Sequence, residues 1–202
     1  GIATGYLRRG RIQVSWEIDT DELQERLELV GRPIDVYIAV VKLLQANLPN
    51  LIAAVKLVPE GRLPQVTPKR FQLAGEELPS PDNPAHWPVV LVGGAVQTTQ
   101  FAHGWQNEIQ VNITAAWPGP RITRRQFQES FDVVTLAAGM FRHDVLAGCF
   151  HDPEDVTRVL WYAALPSGYS LVPENWPHYQ GYIAHLVLYQ APGSNLWPNP
   201  VP

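Results

Sequence analysis

Six histidines, a single cysteine and a scatter of carboxylates are the residues with which this chain could do chemistry. The densest mixtures are His143-Asp144 and His151-Asp152-Pro153-Glu154-Asp155, while His185 stands alone in an apolar run. Catalytic zinc takes three protein ligands, commonly two histidines one helical turn apart with a further His, Glu or Cys. Neither cluster has that spacing, so both read as caps and turns, the ordinary use of Asp and Pro. His185 reads as a hydrogen-bonded strand residue, either buried or facing outward. Cys149 excludes an intramolecular disulfide and a cysteine-rich zinc site. Within Leu146-Ala147-Gly148-Cys149-Phe150 it is expected to be a small buried apolar residue. No Gly-x-Ser-x-Gly elbow occurs, and Ser167-Gly168 and Ser194 read as turn residues. Gly93-Gly94 follows a strand without the further glycines of a nucleotide loop, and is expected to form a turn. The residues thus predict a protein that is not an enzyme and holds no cofactor or metal.

What remains is surface. A net charge of −4 argues against a dedicated nucleic-acid binder, whose affinity depends on Lys and Arg neutralising phosphates. The basic residues come in small groups: Arg8, Arg9 and Arg11; Lys69 with Arg70; Arg121 with Arg124 and Arg125. Such groups are either solvated or set register against acidic residues of a neighbouring subunit. Of seven tryptophans, Trp117 and Trp161 are expected in the core. Trp87, Trp105, Trp176 and Trp197 sit beside prolines or in loops, where they pack locally or anchor in a partner's pocket. The residues singled out for an oligomer or partner interface are Arg8, Arg9, Arg11, Trp16, Arg70, Trp87, Trp105 and Trp197.

The elements that must position these residues follow from periodicity. Length suits one domain, residues 33–191, preceded by an arm and short helix at 1–32 and followed by a tail at 192–202. In the arm, Ile12, Val14, Trp16 and Ile18 alternate with polar residues, which predicts a strand adding to a sheet edge. Asp19 and Glu22 are spaced to cap a short helix that Gly31 stops. Ile34, Ile38, Val41, Leu44 and Leu48 predict a helix over 33–47, ended by Pro49, and Leu51 to Val58 then favours a strand. Seven prolines between Pro59 and Pro88 forbid long helices and central strands. That insertion is expected to pack on a neighbour, with a small hairpin near Val66 to Leu73 as the other possibility. Strands are predicted at Pro88 to Val92, Asn107 to Trp117, Thr157 to Leu165 and Gly181 to Ala191, with Pro166-Ser167-Gly168 opening a loop. Thr123 and Gln126 form a capping-box pair before a helix to Phe141, striped by Phe127, Phe131, Val134, Ala138 and Phe141. The fold class is α+β: an antiparallel or mixed β-sheet flanked by two main helices. No apolar run approaches the roughly 20 residues that span a bilayer, and the start lacks a signal peptide's hydrophobic stretch. A soluble protein made in a reducing cytoplasm is expected.

This order of elements, with the opening helix Ile34 to Leu44, the strand Pro88-Val89-Val90-Leu91-Val92 and the closing strand Tyr182 to Tyr189, resembles the tail terminator and tail-completion proteins in the necks of tailed bacteriophages. The resemblance covers residues 33–191 and rests on element order, while the arm at 1–32 and the Pro59 to Pro88 insertion depart from the compact family pattern. It implies a virion subunit assembled in the host cytoplasm into a ring, typically a hexamer. Such a ring caps the tail tube and joins it to the head connector, with double-stranded DNA passing through the lumen unbound and no membrane involved. Three other readings stand beside it: another neck or baseplate structural subunit, to which the arm and the insertion point; a carbohydrate- or small-molecule-binding β-rich module using loop tryptophans; and a metal-dependent enzyme using His143, His151 or His185.

Overall fold

A computed structural model describes residues 4–8, 11–15, 32–56, 64–101 and 104–190 of the chain. The expected short helix before Gly31 and the tail lie outside them, as do the single interface candidates Arg9, Trp16 and Trp197. The fold is mixed α+β. Its long helices are α1 (Pro33–Lys56) and α2 (Arg124–Met140), with a single turn, α3 (Asp144–Ala147), after α2.

The first two strands, β1 (Thr4–Arg8) and β2 (Arg11–Ser15), pair with each other, Arg8 opposite Arg11. The described residues of the arm therefore pair with each other and not as one strand added to the main sheet. The main sheet contains β3 (Arg70–Leu73), β4 (Val89–Gly93), β5 (Val96–Phe101), β6 (Gly104–Pro118), β9 (Ala163–Leu171) and β10 (Tyr179–Gln190). Its order is β3-β4-β6-β10-β9, and β5 pairs with β6 beyond the end of β4. Only β3 and β4 run parallel. Two short strands, β7 (Phe150–His151) and β8 (Val159–Trp161), pair separately.

Both long helices lie against the same sheet face. Along β6 the residues Ile109, Val111, Ile113 and Ala115 point into the core, joined by Val90 and Val92 of β4 and by Ala184, Leu186 and Leu188 of β10. Against them α1 lays Val36, Val40, Leu44, Leu48 and Ile52, an i, i+4 stripe, and α2 lays Val133, Val134, Ala137 and Ala138. Thr123 caps α2 as its spacing predicts: its hydroxyl accepts from Gln126 N, and Gln126 Oε1 accepts from Thr123 N.

Four expectations fail along this frame. The helix α1 does not stop at Pro49, and no strand follows it; the helix continues to Lys56. An interior proline costs about 3 kcal/mol, whereas burying a Leu or Ile side chain contributes about 1.5–3 kcal/mol. Keeping both Leu48 and Ile52 fully buried one turn apart outweighs the proline. The same extension makes α1 long and apolar enough to cross a membrane by length and composition, contrary to the sequence reading. Its stripe of buried residues is nonetheless a core-helix feature. Pro166-Ser167-Gly168 does not open a loop; it lies inside β9, which pairs with β10 through a one-residue shift that leaves Ser167 unpaired. An edge strand tolerates both the proline and the bulge. The predicted Thr157 to Leu165 strand is two strands, β8 and β9, separated at Tyr162.

The described part of the proline-rich insertion packs on its own sheet and forms no hairpin; β3 lies parallel to β4. Gly93-Gly94 is likewise no turn. The pairings of β4 and β5 with β6 share one register, so the two strands form one arm of a long hairpin, interrupted at Gly94 and Ala95. Gly94 has φ 156°, and a Cβ there would lie 1.9 Å from Gln110 O, so only glycine allows this close approach.

Candidate functional site

The sheet face opposite the helices divides into a covered and an open half. Over β3, β4 and the end of β6, the 74–88 loop closes a second apolar cluster of Trp87, Val89, Leu91 and Ala116. Trp87 is 4% exposed, and its indole N–H donates to Ser80 O at 3.0 Å. Local packing and a partner anchor were both open for this residue; the structure shows the first, with Trp87 the plug of its own loop, where Asn83 and Pro84 start a 3-10 turn that folds the ring inward. Arg70 is exposed at the start of β3 on this edge.

The open half spans β5, β6, β10 and β9. Strand alternation places Gln97, Thr99, Gln106, Glu108, Gln110 and Asn112 on it, beside Ile183, His185, Val187 and Tyr189 of β10. Trp105, another interface candidate, is the second residue of β6, paired with Gln100. The surface is amide-rich and nearly uncharged, with Glu108 its ionic group among these ten. Behind it a chain of amides fixes the strands: Thr98 Oγ1 donates to Asn107 Oδ1 at 2.8 Å, Asn107 Nδ2 to Gln190 Oε1 at 3.4 Å, and Gln190 Nε2 to Leu160 O at 3.2 Å.

At the centre of this face is the arrangement closest to chemistry. His185 lies directly across from Asn112, with Nδ1 2.8 Å from Asn112 Oδ1, and Nε2 is 2.7 Å from Ser170 Oγ. With Nδ1 protonated and donating to Asn112, Nε2 accepts the Ser170 hydroxyl, so the three side chains tie β6, β10 and β9 together. A recess of about 210 Å3 adjoins His185 on the Ser167 and Val187 side, and Ser170 is not among the residues that line it. The imidazole therefore stands between the hydroxyl and the recess, and the arrangement works as a cross-strand clamp. Sequence reasoning found His185 as a hydrogen-bonded strand residue; Ser170 and Asn112 carried no local signal, since their meeting depends on sheet register.

Two other histidines, His143 and His151, serve backbone geometry. His143 caps α3, its Nδ1 3.4 Å from Val145 N. His151 Nδ1 lies 2.8 Å from Val156 O, which accepts, and Nε2 lies 3.6 Å from Cys149 Sγ. Cys149 is exposed, contrary to expectation. Leu146 and Phe150 take the inward positions of this segment, and Trp161 donates to Leu146 O at 2.8 Å while stacking on Phe150 at 4.4 Å, which fills the space the cysteine would have used. Trp161 is fully buried, as expected, and Trp117 is half-buried beside the second cluster. Among the described residues no three His, Cys, Asp or Glu side chains gather to hold a metal ion.

Ionic structure concentrates at the start of α1. Asp35 pairs with Arg32 at 3.1 Å and with Arg158, which also reaches Asp152 at 3.7 Å. Burial pushes the Asp35 carboxyl up, but the two guanidinium groups overcome this and hold it below the usual carboxylate range. On α2 the opposite holds: burial, then the charge of Glu129, push Asp132 up. Glu129 is itself buried and accepts from Gln65 N at 2.8 Å and Val66 N at 3.2 Å, which ties the start of the described insertion to α2.

Compared with known proteins, the chain matches no family model and no curated protein.

Proposed function

We propose that this chain is a structural subunit of a tailed-phage virion, a ring-forming tail terminator or neck protein that caps the tail tube and joins it to the head connector. The observation that carries the reading is the open half of the sheet. A face of Gln, Asn and Thr side chains with one carboxylate, interspersed with Ile183, His185, Val187 and Tyr189 and backed by a two-helix layer on the other side, suits the wall of a channel through which DNA slides. Phosphates are held by Lys and Arg, and this face presents neither among its alternating residues. Exposed Leu165, Leu171 and Tyr162 near the β9 edge add apolar surface of the kind that subunit contacts cover. Head-to-tail contacts of this kind close into rings when the rotation between copies permits. Light scattering of the purified protein over a concentration series, followed by negative-stain imaging, tests it; a strictly monomeric protein that does not assemble on added tail tubes sinks it.

A second reading, a glycan-binding module, is favoured by Trp176 alone. Its ring is 44% exposed and meets His178 and Tyr179 edge-on, a platform on which a sugar could stack. A glycan panel that leaves the intrinsic fluorescence unchanged removes this reading.

A further inference from the structure

The clamp of Asn112, His185 and Ser170 has a second property: its donors and acceptors run in the order that activates a serine. Asn112 Oδ1 accepts from His185 Nδ1 at 2.8 Å, which fixes the tautomer and leaves the lone pair of Nε2 2.7 Å from Ser170 Oγ. An amide oxygen suffices in the third place, because that group orients the base and does not take the proton. Two further features set this contact apart from a purely structural one. Ser170 is exposed, so a substrate reaches its hydroxyl from above the sheet. The strand ladder also supplies a backbone donor beside it. Val172 N donates to Gly181 O at 3.0 Å, so by the alternation of an antiparallel pair Ser170 and Ile183 exchange ladder bonds, while Leu171 and Tyr182 do not. Tyr182 N agrees with this phase, since it turns the other way, to Ser130 Oγ. Leu171 N–H therefore points away from β10, along the outer edge of the sheet, where β9 is the last strand. The N–H of the residue after a nucleophile is a common donor to the oxyanion of acyl transfer.

We propose that Ser170 is an acyl-accepting nucleophile with His185 as its general base, and that this site hydrolyses carboxylic esters of small uncharged alcohols. As Oγ bonds the ester carbonyl carbon, Nε2 takes the hydroxyl proton; the C–O bond to the alcohol then breaks, and the alcohol leaves with that proton. Water next gives a proton to Nε2 as its oxygen attacks the acyl carbon. The bond to Oγ breaks, the carboxylic acid leaves, and the proton returns to Oγ. Asn112 keeps its hydrogen bond to Nδ1 throughout. The class of alcohol follows from the recess of about 210 Å3 on the far side of the imidazole. A leaving group protonated by Nε2 extends past the ring toward that recess. There it meets the amides of Gln110 and Asn112, the Ser167 hydroxyl and the Val187 methyls, without a carboxylate, Lys or Arg side chain among the six described residues of the lining. The inference does not rest on the neck reading, because the three side chains meet within one chain.

The test treats the full chain with a fluorophosphonate probe, which phosphonylates activated serines with loss of fluoride, and follows the adduct by intact mass and peptide mapping. The proposal expects a single adduct, on Ser170, and none in Ser170→Ala, a change at an exposed position. His185→Gln should slow labelling about a hundredfold or more, the range of a general base, and Asn112→Ala at least tenfold. Turnover of p-nitrophenyl acetate by the unlabelled chain, lost in Ser170→Ala, is the second readout. Labelling of the unsubstituted chain needs no variant to fold, so the lack of an adduct on Ser170 overturns the proposal by itself. An adduct that forms as fast in a folded His185→Gln chain, or ester turnover that survives Ser170→Ala, also overturns it and leaves the three side chains a clamp alone.

Discussion

Ser130 sits in the middle of α2 with its hydroxyl lodged against the two central strands. Its Oγ donates to Ala115 O of β6 at 2.6 Å and accepts from Tyr182 N of β10 at 2.6 Å, and the residue is 1% exposed. Space is made for it by Gly181, where a Cβ would lie 2.8 Å from Ser130 Oγ and 2.0 Å from Ala115 O. Ser130→Ala removes one partner from each of two backbone groups shielded from water. A buried group left without its hydrogen bond costs about 1–3 kcal/mol, and alanine's better helix propensity returns only a few tenths. The expected loss is about 2–4 kcal/mol in urea unfolding at unchanged m-value, with the Tyr182 amide exchanging faster than its β10 neighbours. A loss below about 0.5 kcal/mol with unchanged protection at Tyr182 would refute the reasoning, because it would mean that the β6 and β10 backbones satisfy each other without the hydroxyl.

Other consequences are smaller or more local. The Asp35 carboxyl has a lowered folded pKa, so its contribution is present above the unfolded value near 3.8 and is lost as pH falls through the folded value; Asp35→Asn should lower stability at pH 7 and make unfolding less sensitive to acid. For Asp132 the sign reverses: a raised folded pKa gives stability that is present at low pH and lost as pH rises through it. Asp132→Asn should therefore stabilise the protein at pH 7, by about 0.5 kcal/mol for a partly exposed like-charge pair, with the gain vanishing near pH 3 in thermal melts. Trp87→Ala should cost about 3–5 kcal/mol through lost burial, seen in urea unfolding; a cost under 1 kcal/mol would return Trp87 to the pool of partner anchors.

Much of the frame was legible where local chemistry and tertiary packing agree. The Thr123 and Gln126 pair and the alternation from Ile109 to Trp117 each specify an element whose buried face then forms the core. The sequence misled where packing overrode a local rule. Pro49 reads as a stop, yet Leu48 and Ile52 hold the helix through it; Pro166 reads as a loop, yet an edge strand has no inner ladder bond to lose on its open side. Cys149 reads as buried by residue type, but the positions on either side of it are set by Leu146 and Phe150 packing on Trp161. The candidate site was less visible still. Asn112, Ser170 and His185 meet through the register of three strands spread over more than fifty residues, and no spacing along one segment encodes that meeting. Trp87 stayed between local packing and a partner anchor for a related reason: proline-rich sequence marks an irregular chain without saying whether that chain folds onto its own sheet.

The central claim, that this α+β unit is built to assemble around a channel, is tested most directly by the native mass of the full chain from light scattering between micromolar and hundred-micromolar concentrations, with images of the largest species. The account predicts a closed ring of discrete mass with a central hole, its population rising with concentration. A single species at 22.6 kDa across the whole range, unchanged by added tail tubes, would contradict it.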